Sequence, residues 1–106
     1  MPDFLGLMKQ ATEFKSKMEE MQVELERLEV EGAAGGGLVV IRLSGKGDLR
    51  GVRIDHSLLK PDQNEIVEDL IIAAHADARR KLEVMLQEKM QALTGGLPLP
   101  PGLKLF

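Results

Sequence analysis

Apolar residues near the start of the chain fall on a seven-residue repeat. Phe4, Ala11, Met18 and Leu25 hold one register position, and Leu7, Phe14, Met21 and Leu28 hold the position three residues later. Kept up over about four heptads, this spacing holds one apolar seam toward a partner helix. It predicts a first helix from Phe4 to Glu29. At about 1.5 Å per residue that helix is roughly 39 Å long. A compact domain of about 100 residues has a radius of gyration near ~13 Å. The helix must therefore overhang a monomeric core, and its seam needs a surface. A second helix of the same chain or a second copy could supply one.

After the helix, Gly35-Gly36-Gly37 breaks the pattern and offers a turn. A short strand over Glu29–Ala33 is expected before it, and the clearest strand, Leu38–Ser44, after it. Alternation puts Val39, Ile41 and Leu43 on one face and Leu38, Val40 and Arg42 on the other. Gly45-Lys46-Gly47-Asp48 reads as a hairpin turn into a third strand, Leu49–Asp55, with Val52 and Ile54 inward and Arg53 outward. Past the linker His56–Pro61, Asp62 and Glu65 have capping-box spacing. They precede a second long helix, Gln63–Leu93, with Val67, Leu70, Ile71, Ala74, Ala78, Leu82, Met85 and Leu93 on its apolar face. Thr94-Gly95-Gly96 ends it, and Leu97-Pro98-Leu99-Pro100-Pro101-Gly102 can be neither helix nor central strand. The expectation is one α+β domain over 1–96, with a three-stranded antiparallel meander between two long helices, and an extended Pro-rich tail over 97–106.

Charge is unevenly spread. Residues 1–31 carry 4 basic and 8 acidic groups, residues 32–61 carry 5 and 2, and residues 62–94 carry 4 and 7. Lys9, Lys15 and Lys17 precede the glutamate-rich second half of helix one, against the preference of the helix dipole. The bland reading is a solvated face with i,i+4 pairs such as Glu13–Lys17. Cysteine is absent, which excludes disulfides and thiolate metal sites. The longest aliphatic run, Leu70–Ala74, is far too short to cross a bilayer, and the start lacks signal-peptide character. A soluble cytoplasmic protein without membrane contact is expected.

Catalytic signals are weak. Gly45-Lys46-Gly47-Asp48-Leu49-Arg50-Gly51 resembles a phosphate-binding glycine run, but its last glycine is a residue late and a strand follows it. His56 and His75 belong to no ligand cluster, so no metal is expected. Ser57 lacks a nucleophile-elbow context. No catalytic residue, cofactor or small-molecule substrate is expected. The basic residues are the remaining candidates: Lys9, Lys15 and Lys17 on helix one, Arg79-Arg80-Lys81 on helix two, and Arg42, Lys46, Arg50 and Arg53 on the sheet. Trp and Tyr are absent, so stacking platforms for single strands are missing, and any nucleic-acid role favours the duplex backbone.

Several local patterns occur together in this order: Leu5-Gly6-Leu7-Met8-Lys9-Gln10-Ala11, Gly35-Gly36-Gly37-Leu38-Val39, Ile54-Asp55-x-Ser57-Leu58-Leu59, Glu68-Asp69-Leu70 with Ala73-Ala74, Lys89-Met90 and Leu99-Pro100-Pro101-Gly102. In this respect the whole chain resembles the YbaB/EbfC family of small bacterial nucleoid-associated proteins. The resemblance implies a tweezer-like homodimer with paired sheets at its centre, duplex-DNA binding, and chromosome organisation or gene regulation in the nucleoid. A link to recombination or repair proteins is a weaker implication.

Two functional expectations follow. In the first, a dimer contacts duplex phosphates through Lys9, Lys15, Lys17, Arg79, Arg80 and Lys81. In the second, a non-enzymatic scaffold linked to recombination or repair docks proteins through the seam, Met8, Met90 and the tail. The overhanging helix and a strand with two apolar faces also call for a dimer, with Leu38, Val39, Val40, Ile41, Leu43 and the helix-one seam at its interface.

Overall fold

A computed structural model describes residues 4–94; the expected tail and the boundary at Gly96 lie outside the described residues. Helix α1 (Phe4–Arg27) leads into strands β1 (Glu29–Ala34), β2 (Val39–Ser44) and β3 (Leu49–Ile54), and helix α2 (Asn64–Thr94) closes the order. Two 3-10 turns, His56–Leu58 and Pro61–Gln63, join β3 to α2. Asp62 lies inside the second turn, not at the expected cap position. Asp55 caps the first, accepting from the Ser57 amide at 3.0 Å and the Ser57 hydroxyl at 2.5 Å.

Helix α1 stops at Arg27, two residues before the expected end, because the hairpin takes up its last carbonyls. The Gly45 amide donates to Leu25 O at 2.9 Å and to Leu28 O at 3.0 Å. That satisfies acceptors a helix end leaves open. A Cβ on Gly45 would lie 2.5 Å from Leu25 O, so only glycine allows this approach. The β1–β2 turn uses Gly35, Gly36 and Gly37 at positive φ (67°, 69° and 94°), as the glycine run suggests.

The sheet order is β1-β2-β3, antiparallel throughout. A register shift at Arg42/Leu43 pairs Arg42 with Gly51 and Leu43 with Leu49, leaving Arg50 unmatched. Its guanidinium reaches Glu26 O at 3.2 Å. Helix α2 packs chiefly on β1 and β2. Gly32 makes this possible: a Cβ there would stand 2.2 Å from both Ala74 O and Ala78 N. Ala74 and Ala78 are fully buried, so small residues on both sides bring helix and sheet together.

The core between them is Val39, Ile41, Leu43, Leu58, Ala74, Ala78 and Leu82. Val39 and Leu43 are 0% exposed and Ile41 2%, so these three are used up inside their own chain. Leu38 precedes β2 and also packs on this core, against the expected alternation. Of the five residues expected between copies, Val40 alone lies on the other sheet face, beside Arg53. Ile54 packs inward as expected, but Val52 remains 44% exposed because α2 does not lie over β3.

A second cluster, Met21, Leu25 and Met90, joins the C-terminal half of α1 to the end of α2, with Met18, Leu28, Met85, Leu86 and Leu93 around it. Half of the heptad seam thus packs within the chain. The other half joins neither cluster among the described residues: Phe4, Leu7 and Phe14 stay exposed on the N-terminal arm of α1. The molecule measures 72 × 24 × 17 Å, with a radius of gyration of 19.3 Å.

Candidate nucleic-acid interface

The cations are placed by three elements. On α1, Lys9, Lys15 and Lys17 are exposed and make no ion pair with the described residues. Eight residues of helix separate the first from the last, about 12 Å along the axis. Lys17 borders a groove of about 410 Å³ between the helices, with Glu20, Glu24 and Lys89 beside it. Lys89 is paired with Glu24.

On α2, the Arg79-Arg80-Lys81 run divides. Asp77 holds Arg80 at 3.4 Å and Lys81 at 3.1 Å. The same carboxylate accepts the Ala33 amide of β1 at 3.0 Å. That backbone hydrogen bond, followed by Lys81, keeps Asp77 below the usual carboxylate range. Arg79 makes no ion pair with the described residues and opens into a different cleft. This cleft, about 430 Å³, is lined by Gln22, Gly45, Lys46, Gly47, Arg79, Leu82, Glu83 and Leu86.

The six expected residues therefore form no single patch. The Lys17 groove and the Arg79 cleft share no lining residue. Gln22 and Lys17, which border them on α1, stand about 140° apart around the helix. The clefts open on opposite flanks of the α1–α2 seam.

Lys46 and Arg50 were legible as sheet decoration, but their placement was not. Lys46 bonds Glu26 at 3.0 Å, and together with Arg50 it clamps the hairpin to the end of α1. The Lys46 hydrogen bond is the main reason Glu26 is held below its usual value. Lys46 also stands in the cleft with Arg79, a pairing across 33 sequence positions that no local motif announces. Glu31, Val40, Arg42 and Arg53 of the outer sheet face, together with Val52, line a hollow of about 350 Å³, where Arg42 pairs with Glu29 at 3.4 Å. Met90, expected to be exposed, is buried in the second cluster, while Met8 is 53% exposed.

No group of three or more metal-ligating side chains occurs among the described residues, and no helix there is long and apolar enough to cross a membrane. An elongated α-β-β-β-α chain with open, charged clefts defines the class: a small α+β protein built on a three-stranded antiparallel sheet. The YbaB/EbfC DNA-binding family model matches residues 1–97, and the chain belongs to that family. It is 65% identical over 105 residues to a nucleoid-associated protein of Rhodopseudomonas palustris (strain BisB5), covering 99% of each chain. It is 64% identical over 103 residues to a nucleoid-associated protein of Nitrobacter winogradskyi, covering 97% of each. The fold matches an uncharacterised Helicobacter pylori protein of known structure with a TM-score of 0.78, at 21% identity over 89% of this chain and 99% of that one.

Proposed function

We propose that this chain is a nucleoid-associated protein that binds duplex DNA as a homodimer, mainly through backbone phosphates, in chromosome organisation or gene regulation. One observation carries the reading: in a member of a DNA-binding family, Lys9, Lys15, Lys17 and Arg79 are left without carboxylate partners among the described residues. Free ammonium and guanidinium groups displace counterions from the duplex, and a dimer doubles their number. Arg80 and Lys81 act less directly, since each must give up Asp77 to reach a phosphate. The nucleoid of the bacterial cytoplasm is the matching location.

Dimerisation is assigned to the part of the sheet that α2 leaves open. Leu49 is 59% and Val52 44% exposed on β3, a strand with a free edge. The other edge strand already gives its Ala33 amide to Asp77. Pairing of β3 with its copy would extend the sheet past α2 and cover these residues. Sedimentation at micromolar concentration should give a dimer, and Val52→Asp should shift it toward monomer. A wild-type monomer at that concentration would remove the dimer from the reading.

Duplex binding followed by fluorescence anisotropy across a salt series tests the rest. Affinity should fall linearly in log salt with little dependence on sequence. The Lys9/Lys15/Lys17→Ala variant removes two copies of each lysine from the dimer and should lower the slope by up to about 5, close to one unit per lost phosphate contact. Absence of binding at low salt would favour the second reading, a protein scaffold, which the exposed seam residues Phe4, Leu7 and Phe14 also suit.

A further inference from the structure

Half of the α1 seam is spent inside the chain and half is not. From Met18 onward it packs on α2 through Met85, Leu86, Met90 and Leu93. That half shows what this spacing accepts: a second helix laid along it. Phe4, Leu7 and Phe14 continue the same repeat at 71%, 57% and 39% exposure, with Ala11 exposed between them. The exposed large apolar residues of α2 make no matching stripe, since Ile66, Ile72 and Val84 stand six and twelve residues apart. Among the described residues, the unspent helix face with the complementary spacing is the arm itself.

We infer that the arm of α1 pairs antiparallel with the arm of a second copy, through Phe4, Leu7, Ala11 and Phe14 of each. The stripe is self-complementary in that direction. Phe4 of one arm stands opposite Phe14 of the other, and Leu7 opposite Ala11, so both ends close on aromatic pairs and the small alanine makes room for the leucine. Charge fits as well. The local twofold falls at the height of Lys9, whose register position points it outward. The positions flanking the crossing hold Met8 on one edge and Gln10 on the other, so each edge sets a neutral residue against its own copy. Lys15 and Lys17 fall beyond the Phe14 layer. The lysines thus stay open to phosphates while the arms are paired. The contact is short, about two heptads where a stable coiled coil sustains three or four, so it forms at high local concentration. It is also remote from the sheet, since Phe14 and Arg27 lie about 20 Å apart along the helix. An arm contact and a β3 contact on one chain are separate twofold interfaces, which together join copies beyond a dimer. The inference rests neither on DNA binding nor on β3 pairing.

Because the chain has no cysteine, single cysteines can be placed in the full-length protein. The Val52→Asp background takes β3 pairing out of the result. In it, Met8→Cys should be linked between two chains by a short bis-maleimide at roughly 100 μM protein. Glu20→Cys should not, because its two copies would stand about 33 Å apart along the antiparallel pair. Adding Leu7→Asp/Phe14→Asp to the Met8→Cys chain should lower the linked yield at least tenfold. Linking at both positions, linking at neither, or a yield unchanged by the seam substitutions would overturn the inference. With Val52 in place, sedimentation over the same range should show species larger than a dimer, which Leu7→Asp/Phe14→Asp abolishes. A chain that is monomeric at micromolar concentration yet still links through Met8→Cys would remove the β3 dimer and leave the arm pairing standing.

Discussion

At the scale of residues, Asp77 joins the two layers of the molecule. Its carboxylate sits on α2, accepts the outward amide of the edge strand β1, and gathers Lys81 and Arg80. Both bonds favour the ionised form, so the folded-state pKa lies below that of the unfolded chain. A depressed carboxylate adds stability that is present above the unfolded pKa and lost as pH falls through the folded one. Glu26, held by Lys46, and Asp55, held by Ser57, act in the same direction. Urea midpoints should therefore fall on acidification from about pH 5 to about pH 2. Asp77→Asn should lose less than the wild type over that interval, and an equal loss would remove Asp77 from the account. Gly32 is the other joining residue. Gly32→Ala sets a methyl into the α2 backbone, an overpacking that should cost about 1–3 kcal/mol or more in denaturant unfolding.

At the scale of elements, α1 is one helix with two fates. Its C-terminal half meets Met90, Leu86 and Leu93, and its carbonyls meet Gly45. Leu25 is 0% exposed there, so Leu25→Ala should destabilise by about 2–5 kcal/mol. Leu7→Ala, on the bare arm, should cost well under half of that in the same urea titration. The heptad repeat made the helix and its seam legible, because periodicity is a local property of the chain. It could not show where α2 ends alongside α1, and that end decides which half is filled. The strands were legible within a residue or two for the same reason, as β-branched runs between glycine turns. The fate of Val52 was not, since alternation names a face but not the width of the helix that covers it.

At the scale of the whole molecule, the chain is elongated because two long helices overlap over only part of their lengths. A compact chain of about this size would have a radius of gyration near ~13 Å, against the observed 19.3 Å. Small-angle scattering of the protein should therefore report an elongated particle whether or not it is dimeric. The expected site was legible as residue types and not as a place. Arg79-Arg80-Lys81 reads as one basic run, yet Asp77 engages the last two and leaves Arg79 to a cleft shared with Lys46.

By itself, then, the sequence determined the element order, the turns and the family resemblance. Each of these rests on local spacing: sevens for the helix, twos for the strands, glycines at positive φ. Only the tertiary structure decided which apolar residues are consumed in the chain and which cations stay unpaired. Those outcomes depend on contacts between residues far apart in sequence, such as Gly32 with Ala78, Gly45 with Leu25 and Asp77 with Ala33, and no local pattern encodes which distant partner arrives.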